Sequence, residues 1–249
     1  MSLRHDSPRK KRKEKNKWKY SSPEELEELE KEYLKEELRY LEPTIKGQVR
    51  ITAGKVKNYV IDIPRNTRPA TDMMKTRVFD ILREDIANTK VLDLYAGSGS
   101  FGLEALSRGA KEATLVDASK QAEGVLLGNA KKTGFLTETH VIRARAEDFV
   151  EESISKEEEY EVIFFDPPYK AYNRNKLFKV EGMIDRIKYL LPGYNNKDTP
   201  LFKGVIIMKH PRRFPIDDLH VDGIRKLETI DFGKNSISFL IVDMESTGR

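Results

Sequence analysis

The chain contains no cysteine, which excludes disulfides and thiolate metal sites and fits a reducing cytoplasmic compartment. Its four histidines are scattered singly, so no metal site is expected. No apolar run approaches the roughly 18 residues that a membrane-spanning helix requires. The basic amino terminus lacks the apolar stretch of a secretory signal. A cytoplasmic protein without membrane contact is the expectation, and no internal repeat is visible.

What is present is length, charge segregation and alternation. The 249 residues, 38% of them hydrophobic, are enough for one substantial core. Net charge is +4, but its distribution says more than its total. Residues 1–20 carry nine Lys/Arg against two Asp/Glu, and residues 21–42 carry three against nine. The first stretch reads as a disordered basic arm at 1–20, suited to nucleic-acid phosphates, with Trp18 and Tyr20 available to stack on bases, or else as a solvated terminus. The second reads as an acidic helical extension over 21–47. Ser22 caps it, Pro23 suits its first turn, and Leu26, Leu29, Tyr33, Leu34, Leu38 and Leu41 form one apolar stripe.

A globular domain is expected over 48–249. It opens with a hairpin at 48–64, where Val49 and Ile51 alternate before a Gly-Lys turn. A helix follows, capped by Thr71, with Met74, Val78, Phe79, Ile81 and Leu82 facing inward. Over 70–249 the segments "KVLDLY", "ATLVD", "THVIRA", "YEVIFFD" and "GVIIMK" alternate with amphipathic stretches. That pattern predicts an α/β fold, a mostly parallel sheet with helices on both faces. The last two strands meet at Gly233-Lys234-Asn235, too short a link for a helical crossover, so they pair antiparallel.

Two motifs carry chemistry. In "VLDLYAGSGSFGLEAL" a strand runs into Gly97-x-Gly99-x-x-Gly102 and then a helix, placing a tight backbone turn around Gly97, Ser98 and Gly99 at the ligand-binding edge of the sheet. The spacing equals the dinucleotide fingerprint, and Asp117 stands where an acid accepts from ribose hydroxyls. Asp93, however, ends the first strand, where a pyrophosphate would be repelled and a positively charged ligand welcomed. This favours S-adenosylmethionine, although Asp93 is also suited to accept loop amides. Arg145, Ala146 and Glu147 after the third strand are candidates to meet adenine. Tyr95 and Phe101 either shape the pocket or pack beneath it.

The second motif is Asp166-Pro167-Pro168-Tyr169, at the end of the strand expected beside the first. A nucleobase amine is a weak nucleophile because its lone pair is delocalised into the ring. Two acceptors, the Asp166 carboxylate and the Pro167 carbonyl, favour the localised lone pair. The proline pair holds the corner rigid, and Tyr169 offers a stacking face to a base taken out of its stack. Lys170, Arg174, Lys209, Arg212 and Arg213 are candidates to grip phosphates, or ordinary solvated loop residues.

These stretches, with "VRITAGKVKNYVIDIP", "TRPATDMMKTRVFDIL", "GLEALSRGAKEATLVD" and "FGKNSISFLIVD", resemble in order the bacterial small-subunit (16S) ribosomal RNA guanine-N2 methyltransferase family, of the Asp-Pro-Pro-Tyr type. The resemblance spans about 48–243. It implies a Rossmann-like class I methyltransferase fold with a seven-stranded sheet and an antiparallel C-terminal hairpin. It also implies S-adenosylmethionine as methyl donor, and a guanine of ribosomal RNA in an assembling 30S particle as target. A monomer is expected. Arg68 to Asp72, with Thr71, would border the cofactor. Gly97 and Gly99 would hold it with Ala118 as a further cofactor contact, Asp117 would hold ribose, and Asp166 to Tyr169 would hold the guanine. Ala70, Met73, Thr76 and Arg145 depart from the residues common in that family. Two rivals stay open. A DNA amino-methyltransferase would need a target-recognition segment for which little chain is spare, and a non-catalytic ribosome-assembly factor would not need Asp93, Asp117 and the intact corner.

Overall fold

The computed structural model describes residues 45–65, 67–172, 177–195 and 204–243, all within the unit Pro43–Arg249. The basic arm, the acidic segment up to residue 44, and Arg174 lie outside the described residues.

Strand β1 (Ile45–Arg50) pairs antiparallel with β2 (Val60–Pro64), with Val49 opposite Ile61. This small sheet begins three residues earlier than the expected 48. Its connecting loop is pressed onto the second helix. Gly54 adopts φ +85°, and a Cβ there would lie 1.9 Å from the Ser107 carbonyl oxygen. Helix α1 (Asp72–Leu82) is capped by Thr71, whose hydroxyl accepts the Met74 amide. Met74, Val78, Phe79 and Leu82 are buried as its periodicity requires, with Lys75 among them.

Lys75 is fully buried because Glu104, also fully buried, waits for it at 3.5 Å. Glu104 belongs to α2 (Ser100–Ser107). Its carboxylate also accepts from the Thr52 amide at 2.8 Å, the Thr52 hydroxyl at 2.6 Å, the Ala53 amide at 3.1 Å and Arg108 Nε at 3.0 Å. A buried charge is tolerated only when its lone pairs are all engaged in this way. The cluster rivets the β1–β2 loop to the body.

The main sheet takes the order β5-β4-β3-β6-β7-β9-β8 among the described residues. Its strands are β3 (Lys90–Leu94), β4 (Glu112–Val116), β5 (Thr139–Ile142), β6 (Val162–Phe165), β7 (Val205–Pro211), β8 (Ile224–Phe232) and β9 (Asn235–Val242). The first five pair parallel, while β9 inserts antiparallel between β7 and β8. Between them lie α3 (Lys120–Thr133), α4 (Ala146–Ser155) and α5 (Leu177–Ile187).

Two cores follow from the two-residue period of the strands. Val91, Leu115, Val162, Phe164, Ile207 and Phe239 face α1, α2 and α3. Leu92, Leu94, Val116, Ile163, Phe165 and Leu240 face α4 and α5. Because both faces are covered, the central strands read as continuous apolar runs. The chain leaves β3 toward β4 and β5, then returns to β6 on the other side of β3. Strand order therefore reverses between β3 and β6, the place where open α/β sheets bind ligands.

Candidate functional site

The register of β3 on β6 sets Asp93 opposite Phe164 and Leu94 opposite Phe165. The residues that follow, Tyr95 and Asp166, therefore emerge side by side at the carboxyl edge, and the Asp166 amide points to the Leu94 carbonyl at 3.5 Å. Tyr95 takes φ +63° although it is not glycine, a strained conformation of the kind that clusters at functional sites. Its ring packs on Phe165 at 6.0 Å and its hydroxyl reaches Glu147 at 3.5 Å. Burial, followed by the Glu147 charge, raises that phenol well above its ordinary value.

The glycine loop is held by acids from two strands. Asp117, half-buried after β4, accepts the Gly97 amide at 3.0 Å and the Ser119 amide at 2.8 Å. Asp93, 3% exposed, accepts the Gly102 amide at 3.1 Å. Burial raises the Asp93 carboxyl, and the negative charges of Asp166 and Asp117 add to it. Gly97 and Gly99 have φ +56° and +73°, and a Cβ on Gly97 would lie 2.5 Å from Thr67 Cγ2. Ser98 is buried, and its carbonyl accepts from Asn129 Nδ2 at 2.9 Å. Ala118 is exposed at the lip of the loop.

The Asp-Pro-Pro-Tyr corner makes three contacts across the crevice. The Asp166 carboxylate lies 2.5 Å from Lys209 Nζ. The Tyr169 hydroxyl donates to Asn235 Oδ1. The Arg68 guanidinium covers one face of the Tyr169 ring, 5.5 Å from its centroid. Burial raises the Asp166 carboxyl, and Lys209 offsets part of that rise.

Several expected roles change with the geometry. Lys209, expected on a phosphate-gripping surface, is 7% exposed and turned inward to Asp166. The "KHPRR" group is not all loop, because β7 continues through Pro211, paired with Asn235 of β9. His210 is buried in that strand. Its Nδ1 donates to the Pro211 carbonyl at 3.0 Å and its Nε2 accepts from the Ser238 hydroxyl at 2.8 Å. Only Arg212 and Arg213 of that group are left on the surface, and they line a groove with Pro211, Gly233 and Lys234. Arg212 pairs with Asp231 at 2.9 Å. Lys170 is exposed on the 3-10 turn Tyr169–Tyr172.

The adenine candidates split. Ala146 is buried as the first residue of α4, while Arg145 is exposed and pairs with Glu147 at 3.6 Å. Phe101 packs flat on Phe164 at 4.6 Å, beneath the site. The Thr71 hydroxyl is spent on the α1 cap.

Three contributors are not legible in the sequence. Asn129 joins the Asp62 amide and carbonyl, both at 2.8 Å, to the Ser98 carbonyl. Asn235 anchors Tyr169, and the Tyr172 hydroxyl donates to the Lys209 carbonyl at 2.5 Å. For Asn129 the one available signal is its place on the inward face of α3, beside the buried Leu126 and Ala130. Among the described residues no cluster of His, Asp and Glu could hold a metal ion, and no helix is long and apolar enough to cross a membrane.

Known proteins resemble this chain in sequence and fold. The Bacillus subtilis protein YlbH is 34% identical over 153 residues, covering 61% of this chain and 76% of its own length. Ribosomal RNA small subunit methyltransferase D of Escherichia coli K12 is 33% identical over 128 residues, covering 50% of this chain and 62% of that protein. A solved Thermus thermophilus structure, hypothetical protein TTHA0928, superposes with a TM-score of 0.59 at 28% identity, covering 77% of this chain and 98% of that one. The sheet is that of class I methyltransferases. The family model described as Conserved hypothetical protein 95 matches residues 49–193, from the hairpin through the glycine loop and the Asp-Pro-Pro-Tyr corner. That is more than half of the chain, which therefore belongs to this family of RsmD-like proteins.

Proposed function

We propose that the chain transfers a methyl group from S-adenosylmethionine to the exocyclic N2 amine of a guanine in small-subunit ribosomal RNA. The observation that carries this reading is the adjacency of two motifs at the topological switch. The acid-held glycine loop ends β3, and Asp166-Pro-Pro-Tyr ends β6 directly beside it.

The residues fit the methyl donor. Gly97 and Gly99 hold a left-handed turn that a side chain would strain, a Cβ on them running into Thr67 and Leu126, and Asp117 has lone pairs beyond the two amides it accepts, enough for ribose hydroxyls. Asp93 beneath the loop accepts the Gly102 amide and so helps fix the turn, the structural role its position also allowed. Arg68, Thr71, Tyr95, Ser98, Ala118, Arg145 and Ala146 border the rest of the ligand. Bound there, S-adenosylmethionine supplies an electrophilic methyl group. The chain holds its acceptor: Asp166 and the Pro167 carbonyl accept hydrogen bonds from the amine, Pro167 and Pro168 fix the backbone, and Tyr169 lays its free face on the base, Arg68 being on the other. The proton lost from the methylated amine passes to water.

The relatives' names support ribosomal RNA as the partner. Lys170, Arg174, Arg212 and Arg213, joined by Lys234, are the phosphate grip we assign. A cytoplasmic monomer acting on an assembling 30S particle completes the reading. The test is to map N2-methylguanines in ribosomal RNA from cells with and without the gene, then restore them with the purified chain. An unchanged methylation map would refute the assignment, and a methylated adenine or cytosine would redirect it.

A further inference from the structure

Lys209 has no place in the surface grip, and its position calls for another role. Its side chain is 8% exposed, with Nζ 2.5 Å from Asp166 Oδ2 and 3.4 Å from the Arg68 carbonyl. Its backbone is pinned on both sides, by Ile237 in the β7–β9 register and by the Tyr172 hydroxyl on its carbonyl at 2.5 Å. An ammonium taken out of water costs several kcal/mol, and a buried ion pair commonly adds no stability over apolar side chains of like volume. Stability alone therefore gives no reason for this pair at the edge of the crevice.

The surroundings of Asp166 do. Asp93 on β3 is buried beneath the glycine loop with its carboxyl raised and adds no positive charge. Tyr169 and Tyr172 on the 3-10 turn add no positive charge, and neither does the buried His210 on β7, drawn toward its neutral form. The Arg68 guanidinium, from the segment before α1, lies over the Tyr169 ring. Among the described residues Lys209 is the cation in contact with the Asp166 carboxylate. A protonated carboxyl turns one of its two oxygens into a donor and weakens the other as an acceptor, so loss of the charge would impair the group's function.

Building on the proposed methyl transfer, we propose that Lys209 is the positioning residue for Asp166: it keeps the carboxylate ionised and aimed across the crevice, and yields one oxygen to the incoming amine. It also sets the class of substrate. With the carboxylate already neutralised by Lys209, the crevice favours an uncharged amine such as that of a nucleobase over a cationic amine such as a lysine side chain.

The test uses the full chain with Lys209→Met, Lys209→Gln and Lys209→Arg. The Asp166 carboxyl carbon is followed by 13C NMR across pH without any ligand, its resonance assigned through Asp166→Asn. Methyl transfer to ribosomal RNA is measured over the same range. Removing a neighbouring positive charge raises a carboxyl. The neutral variants should therefore titrate higher by about one pH unit or more, the acid limb of kcat should move with them, and Lys209→Arg should restore both. An unmoved Asp166 titration in whichever neutral variant folds would overturn the proposal. Should the wild-type chain methylate no RNA, the proposed function fails, while the ligand-free titration still decides the role of Lys209.

Discussion

The Asp117 carboxylate accepts the Gly97 amide at 3.0 Å, so the acid that ends β4 holds the loop that ends β3. One side chain thus shapes the cradle and offers the proposed ribose acceptor. Asp117→Ala should weaken S-adenosylmethionine binding about tenfold or more, the loss of a charge-assisted hydrogen bond being worth roughly 1.5–3 kcal/mol. Titration calorimetry checks this, and an unchanged dissociation constant would remove Asp117 from the site.

Asp166→Ala should abolish methyl transfer and leave S-adenosylmethionine binding within a few-fold of wild type, because the proposed mechanism sets the corner against the base rather than the methyl donor. The change strands Lys209, so Asp166→Asn, which keeps one oxygen acceptor, should be made beside it and should be strongly impaired as well. Near-normal turnover by either variant in a radiolabel assay would sink the assigned mechanism.

Gly54→Ala should destabilise the fold by about 3 kcal/mol or more, combining a left-handed backbone with a clash against a carbonyl that cannot swing away. The contact is with the Ser107 carbonyl oxygen at 1.9 Å. Urea unfolding measures it, and a loss under about 1 kcal/mol would mean the β1–β2 loop is not riveted to α2 as described.

His210 is held neutral by burial, which pulls it below its ordinary value of 6.5. A group depressed in the fold contributes stability above the unfolded value, and that stability is lost as pH falls through 6.5 toward the folded value. Wild type should therefore lose more stability than His210→Gln between about pH 7.5 and 5.5. Equal losses in thermal melts at both pH values would show that His210 titrates alike in the folded and unfolded chain.

Arg213→Ala and Lys234→Ala should each weaken binding of ribosomal RNA and lower the slope of log K against log salt by about one. S-adenosylmethionine affinity should not change. A wild-type salt slope in both variants would take the RNA backbone out of this groove.

The alternating apolar segments, the Thr71 cap and the short Gly233-Lys234 link were legible because each depends on neighbours in the chain. Period, cap and turn are local, and so were the glycine loop and the Asp-Pro-Pro-Tyr corner. The extent of β7 was not, since its continuation through His210 and Pro211 depends on β9, which arrives more than twenty residues later.

Charged and amide side chains were the hardest to read. A lysine in "KHPRR" is indistinguishable from its arginine neighbours until the sheet turns it inward to Asp166, 43 residues away. Glu104 and Lys75 look like ordinary helix surface, yet Thr52 and Arg50 of the hairpin region meet them in the interior. The amino-acid sequence by itself determined the fold class, the ligand edge and the two motifs, because local periodicity and backbone chemistry are written residue by residue. Only the tertiary structure decided which charges face water and which face each other, because the energy of a buried charge depends on partners that distant segments supply.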